Sequence, residues 1–266
     1  MLSRLIAFAD GRGRGLPFRM LFFTLLLVIY DGEGQTFGVD DTSDVIDYGL
    51  FDSLWTDALG QGKLSTYAVR SEPFGRLAGM FAGAQPQAYG PVARSAFWIN
   101  AYLLCLWQVM ERSAGYRSTI WDSTLLRRDT FIVAGEPVVL HGMRERARDH
   151  GATVLVAMTF ATGSSHAPPF PPRAVRARTW YRQLRDQARR VIRSERFVLY
   201  DPAGHVLQLA GFFRPYLDGM VSERGSVVQF FLPYVSESMA ASLGLRPHDL
   251  RIVISDRIER WARRRG

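Results

Sequence analysis

The sequence is poor in the residues from which covalent and metal-bound sites are usually built. It has a single cysteine, Cys105, so no disulfide can form within the chain. Its five histidines follow no metal-binding spacing, and it contains neither a phosphate-binding loop nor a dinucleotide-binding glycine fingerprint. We therefore predict no cofactor and no metal site.

Lysine is almost absent, since Lys63 is the only lysine among 33 basic residues. With 25 acidic residues the net charge is +8, and arginine carries nearly all of the positive charge. An excess of one residue type is as compatible with coding bias as with selection for a basic surface. We therefore predict no nucleic-acid partner.

Long apolar runs are also scarce, and the one near the N-terminus is short. Several arginines precede an apolar core over residues 20–30, an arrangement typical of a secretory signal peptide. A transmembrane helix needs about 20 apolar residues. We predict that residues 1–34 are a signal peptide or, as the alternative, a short anchor; a buried core helix is a third interpretation. The first two predict an exported protein that is periplasmic, secreted or anchored to the inner membrane.

What the sequence does contain is enough apolar material for one large core, since 47% of its 266 residues are hydrophobic. Residues 93–112 are apolar on almost every side when they are placed on a helix, which is typical of a buried helix. Asn100 and Gln108 interrupt this run and argue against a membrane span. We predict that it is the central helix of the domain.

The remaining pattern predicts a mainly helical α+β domain over residues 45–255, with a small sheet of hairpins. A polar segment (35–44) precedes it and a basic tail (256–266) follows. Turn residues and hydrophobic periodicity predict these elements: helices at 45–59, 143–149, 173–196 and 227–243, an apolar helical stripe at Phe74, Leu77 and Phe81, hairpins at 131–140 and 197–209, and a buried strand at 153–160. Residues 250–264 fit either a strand or a helix.

Two polar side chains of the central helix are candidates for a site. A buried amide such as Asn100 must find hydrogen-bond partners, because an unpaired one costs about 1–3 kcal/mol. It either orients a catalytic group or ligand, or it clamps the backbone of a crossing loop. Cys105 lies among large apolar residues, which favours a role as core filler over that of a reactive thiol.

The proline-rich loop after the apolar segment 153–160 holds a second candidate. Ser164, Ser165 and His166 form the only cluster of hydroxyl and imidazole groups in the chain. A hydrolase could use one serine as nucleophile, His166 or His150 as base, and Asn100 as orienting group. Partners of a catalytic triad normally converge from distant segments, so a rigid loop is the competing interpretation.

Arginines also recur at helical spacing in the predicted helix 173–196. They are Arg178, Arg182, Arg185, Arg189 and Arg193. This arginine face is either a docking surface for an anionic lipid or protein partner, or a solvated helix face.

The order of these pieces resembles the "domain of unknown function 547" family of bacteria and plants. The residues that carry the resemblance are Ala96-Phe97-Trp98-Ile99-Asn100-Ala101-Tyr102, which match the family hallmark AFWINxYN, and the Phe-Ile-Val-Ala-Gly hairpin at 131–135. The resemblance covers about 45–220. It implies an exported α+β domain with a polar cluster likened to a thiol-hydrolase site, in which Asn100 and Tyr102 would take part.

The departures from the family pattern affect the chemistry directly. The family's second Asn is Leu103 here, and its His positions fall at Glu145 and Thr153. Its Cys positions fall at Met158 and Ala167. Because a thiol mechanism needs a thiolate and a base, we predict a binding or structural module that has lost this site. A hydrolase that uses the Ser/His loop is the alternative.

Overall fold

The computed structural model describes residues 43–60, 69–112, 125–149, 152–160, 167–245 and 250–255. They all lie within one compact unit, residues 39–266. The α-helices are α1 (Gly49–Gly60), α2 (Glu72–Gly83), α3 (Pro91–Arg112), α4 (Leu125–Arg128), α5 (Leu140–Arg148), α6 (Thr153–Ala157), α7 (Trp180–Ile192), α8 (Leu217–Arg224), α9 (Val227–Phe231) and α10 (Glu237–Leu245). Short 3-10 turns occupy Pro86–Ala88, Ala177–Thr179 and Gly211–Tyr216.

The strands form two small sheets. The strands are β1 (Thr130–Val133), β2 (Glu136–Val139), β3 (Val198–Asp201), β4 (Val206–Ala210) and β5 (Arg251–Ser255). β1 and β2 form one antiparallel hairpin, and β3 and β4 form the other. β5 adds to the second hairpin in parallel with β4, so residues 251–255 are a strand. The predicted class, a mainly helical α+β domain with small hairpin sheets, is confirmed.

Helix α3 is the centre of the domain, as predicted. Between Ala96 and Trp107 every side chain is buried, and α5 packs along it more extensively than any other described element. Aromatic rings from α1 and α2 pack around it, with Trp55 and Phe74 each meeting Trp107 edge to face at 5.3 Å. A helix that is apolar on all sides is stable in this setting because protein covers every face.

The prediction of a buried strand at 153–160 is wrong. Residues 153–157 form the short helix α6, and the chain turns through Met158 and Thr159. A short, wholly apolar run has no polar face, so its pattern cannot separate a buried strand from a buried helix. Ala152 starts the helix from a left-handed conformation with φ of 46°.

Four predicted helices have different limits in the structure, and the one predicted at 143–149 runs from Leu140 to Arg148. The helix predicted at 45–59 begins at Gly49 rather than at residue 45. At this start, the Asp47 carboxylate accepts a hydrogen bond from the Gly49 N–H. The predicted helix 173–196 is the 3-10 turn followed by α7. The predicted helix 227–243 is two helices, α9 and α10, because Pro233 has no N–H to donate and the chain turns there.

The prediction of a signal peptide or anchor falls on residues 1–34, which lie outside the described ranges, and so do the basic tail and most of the polar segment. Among the described helices, none combines the length and the apolar character that a membrane span would require.

Candidate functional site

Asn100 closes a two-bond clamp on a crossing segment. Its Nδ2 donates to the carbonyl of Val175 at 2.8 Å, and its Oδ1 accepts from the N–H of Val175, also at 2.8 Å. The side chain is fully buried. The amide therefore pairs with one residue's backbone much as a neighbouring strand would. Of the two interpretations of Asn100, the structure shows the backbone clamp.

The clamped segment, residues 167–177, is called the strap. It contains no α-helix or strand, so side chains of other elements bond its backbone. Asp52 accepts from the Ala174 N–H at 2.6 Å, and Trp55 donates to the Pro171 carbonyl at 2.7 Å. Gln187 donates to the Pro169 carbonyl at 2.6 Å. Of the side chains that bond the strap, Asn100 and Trp55 are fully buried.

An ion pair holds the outer end of the strap. The Arg176 guanidinium donates to Asp52 at 2.6 Å and to Asp44 at 3.3 Å, and it lies 5.2 Å from the centre of the Tyr48 ring. Tyr48 is fully buried near Asn100, and this burial raises the pKa of its hydroxyl well above the usual range. The ion pairs of Arg176 with Asp44 and Asp52 therefore lie on the side of α3 that carries Asn100.

The positions that the family resemblance would assign to thiol and imidazole groups are filled differently. Met158, Leu103 and Ala167 are buried. Thr153 is the first residue of α6, and Glu145 is exposed on α5, where it bonds Arg148 at 2.9 Å. None of these five side chains can act as a thiolate or an imidazole base.

Cys105 is a core residue with 3% of its surface exposed. It lies at the base of a groove of about 390 Å³ between α2, α3 and β1. The described imidazoles make contacts elsewhere: His141 lies 3.3 Å from the Arg127 guanidinium, and His205 lies 3.0 Å from the Tyr200 hydroxyl. Within the described ranges, no three His, Cys, Asp or Glu side chains converge as metal ligands.

The other catalytic candidates are not described. Ser164, Ser165, His166 and His150 all fall in the gaps between the described ranges. The predicted hydrolase geometry in the proline-rich loop therefore stays a prediction. Asn100, the orienting group of that prediction, is hydrogen-bonded to Val175 through both its Nδ2 and its Oδ1.

A second polar cluster lies at α5 and was not predicted. Arg144 and Arg148 both donate to the hydroxyl of Tyr216, at 3.1 and 2.9 Å. Both guanidinium groups also lie over the face of Phe160, at 5.1 and 5.5 Å from its centre. The Phe160 ring meets Tyr102 edge to face at 5.0 Å. These five residues are called the arginine–tyrosine cluster.

The cluster is unusual in its charge. Arg144 is 8% exposed and forms no ion pair with any described residue, while Arg148 pairs only with Glu145, which is half exposed. Since both guanidinium groups bond one oxygen, the bonding nitrogens are no more than about 6 Å apart. Two positive charges at that distance repel by about 3 kcal/mol at an effective dielectric constant near 20.

Tyr102 belongs to this cluster rather than to the Asn100 clamp. It is fully buried, and burial raises the pKa of its hydroxyl to about 12, although the charges of Arg144 and Arg148 act in the opposite direction. Two residues along a helix correspond to about 200° of rotation. Asn100 and Tyr102 therefore project to opposite sides of α3, and the structure does not bring them into one site.

One signal in the sequence could have revealed this cluster. In α5, Leu140, Met143 and Ala147 are fully buried, and Arg144 and Arg148 occupy the remaining positions of the same helical face. An arginine at a buried position of an amphipathic helix is the sequence signal that indicates such a cluster. Tyr216 and Phe160 come from distant segments, and no local pattern connects them to α5.

The arginine face of α7 is largely occupied by local contacts. Arg185 stacks on Tyr181 at 5.7 Å, Arg189 pairs with Asp186 at 2.9 Å, and Arg193 donates to the carbonyl of Tyr234 at 3.0 Å. Arg178 and Arg182 are exposed and have no such partner in the described part of the chain.

Comparisons with known proteins add no relative. No protein-family model matches the chain, and neither the curated proteins nor the solved structures contain a significant match.

Proposed function

We propose that this protein is an exported domain of the bacterial cell envelope that acts as a binding or structural module and not as a hydrolase. Its scaffold resembles that of the domain of unknown function 547 family. The observation that supports the proposal most is the Asn100 clamp. A fully buried amide that bonds the backbone of Val175 is not positioned to orient a base or to contact a substrate.

The side chains at the positions where the resembled family has Cys and His support the same proposal. Nucleophilic catalysis needs an activated nucleophile within hydrogen-bond reach of a base. Met158 has no ionisable group, Glu145 is turned towards Arg148, and the one thiol, Cys105, is buried in the core. A protein that retains this scaffold without the reactive groups would act by binding a partner or by supporting a structure.

The first experiment measures thiol reactivity and turnover together. We expect iodoacetamide to label Cys105 slowly in the native protein and fully in denaturant, because a buried neutral thiol is a poor nucleophile. We also expect no turnover of simple ester, thioester or amide substrates. Fast labelling of the native protein, together with turnover that Cys105→Ala abolishes, would contradict the proposal.

The serine alternative needs its own experiment. A fluorophosphonate probe reports an activated serine, and we expect no labelling of the native protein. Ser164→Ala, Ser165→Ala and His166→Ala are compared with Ser238→Ala, which changes an exposed serine on α10. Turnover that only the first three variants lose would establish the hydrolase alternative in place of the binding module.

Export is tested separately with a reporter enzyme that is active only outside the cytoplasm. Fusion of the full chain to this reporter should give activity, and Leu26→Arg should abolish it, because a charge interrupts the apolar core of the signal. Equal activity from both fusions would contradict export through residues 1–34.

A further inference from the structure

Among the described residues, no carboxylate pairs with Arg144 of the arginine–tyrosine cluster. Arg144 is more than nine-tenths buried, and its Nε has no hydrogen-bond partner; the Nε of Arg148 is also buried without one. A buried guanidinium is ordinarily neutralised by a carboxylate or phosphate that matches its planar fork of donors. In the described ranges, Glu145 is the one carboxylate that pairs with an arginine of the cluster, namely Arg148.

The hydroxyl of Tyr216 adds a third donor. It accepts hydrogen bonds from both guanidinium groups, which occupies both of its lone pairs. Its own proton is then left to be donated. Two guanidinium groups and one hydroxyl thus place hydrogen-bond donors and two positive charges together beside α5.

We infer that Arg144, Arg148 and Tyr216 bind the phosphoryl group of a small phosphate monoester. This inference rests on the proposed function, since it names the ligand class of a non-hydrolytic module. A monoester carries a charge near −2 and three strongly accepting oxygens, which match the two positive charges and the three donor groups of the cluster. A carboxylate offers one charge and two oxygens and would leave part of the cluster unsatisfied.

The ligand enters from the side of Arg148, whose side chain is 17% exposed, and it displaces Glu145. The carboxylate of Glu145 is 52% exposed, so it moves into water at little cost. The guanidinium groups lie below the surface, which favours a soluble ester over the head group of a lipid that remains in a bilayer. No covalent bond forms or breaks.

The test is calorimetric titration of the full chain with inorganic phosphate and with glycerol phosphate, at an ionic strength held constant with chloride. We expect saturable binding of one equivalent of each. Arg148→Gln should weaken binding roughly 10- to 100-fold, because charge-assisted hydrogen bonds are lost. Glu145→Gln should strengthen it roughly two- to five-fold, because an exposed competing carboxylate is removed.

Arg178→Gln and Arg182→Gln are the matched controls. They remove the same charge from two exposed arginines, one in the 3-10 turn before α7 and one on α7, that have no partner among the described residues, and they should change the affinity less than about two-fold. Circular dichroism verifies the fold of each variant. If Arg148→Gln does not fold, Arg148→Lys replaces it; lysine keeps the charge but loses the fork, so binding should again weaken.

Three outcomes would overturn the inference: no saturable binding of either probe, equal weakening by Arg148→Gln and Arg178→Gln, or binding only to vesicles that contain phosphatidic acid. Release of phosphate from glycerol phosphate is measured in the same samples. Turnover would contradict the proposed function and leave the site in place, whereas absence of binding would contradict the site and leave the proposed function in place.

Discussion

The two sides of the central helix bury polar groups in opposite ways. On one side the amide of Asn100 is matched, group for group, by the backbone of Val175. On the other side Tyr102 lies within a cluster whose Arg144 has no ionic partner among the described residues. The Asn100 bonds hold two segments together, whereas the buried Nε of Arg144 has no hydrogen-bond partner, and a bound anion is one explanation for such a group.

The largest difference between the two sides is expected when the clamp is removed. Asn100→Leu leaves the N–H and the carbonyl of Val175 buried without partners, and each such group costs about 1–3 kcal/mol. We expect the free energy of unfolding to fall by about 3 kcal/mol, measured by urea denaturation. Gln108→Leu is the matched control, because Gln108 is a partly exposed amide on the same helix. Equal losses for the two variants would refute the clamp.

The second-largest expected effect is a fall in the free energy of unfolding at alkaline pH. Burial raises the pKa of Tyr102 to about 12, against about 10 in the unfolded chain. The folded state therefore holds this proton more tightly, so the stability it contributes is complete below pH 10 and is lost as the pH rises from 10 to 12. At pH 11 the loss is about 1 kcal/mol. Tyr102→Phe should reduce the decline in unfolding free energy between pH 9 and 11.

If Tyr102→Phe and the wild type lost equal stability between pH 9 and 11, the buried Tyr102 hydroxyl would not be a source of the alkaline pH dependence. Tyr48 and Tyr234, whose pKa values burial also raises, titrate in both proteins, so their contribution cancels in the difference. Tyr216→Phe is a useful second measurement, since it removes the hydroxyl that both arginines bond.

The sequence was sufficient to predict the central helix, both hairpins and the requirement that Asn100 find partners, because these depend on periodicity and on local chemistry. It could not predict that the partner of Asn100 would be Val175, 75 residues away. Residues 153–157 were misread as a strand because burial on all sides removes the polar positions that distinguish the two periodicities. The arginine–tyrosine cluster was missed because Tyr216 and Phe160 reach α5 only through the tertiary fold.

A smaller effect is expected at the outer end of the strap. Asp52→Asn keeps an oxygen for the Ala174 N–H but removes the charge that pairs with Arg176. Both side chains of the pair are more than a quarter exposed, so we expect a loss of about 0.5–1 kcal/mol, which 1 M salt should largely remove. A loss as large as that of Asn100→Leu would show that the ion pair, and not the amide, fixes the strap.

The smallest effect should come from Arg144, the most buried arginine among the described residues. Arg144→Met keeps an unbranched apolar stem against Phe160 and removes a charge that no described carboxylate balances. Replacing buried charge with well-packed apolar groups is often neutral or stabilising. In phosphate-free buffer we therefore expect the free energy of unfolding to change by less than about 1 kcal/mol. A large loss would mean that Arg144 is as structural as Asn100, and the contrast between the two sides of α3 would then disappear.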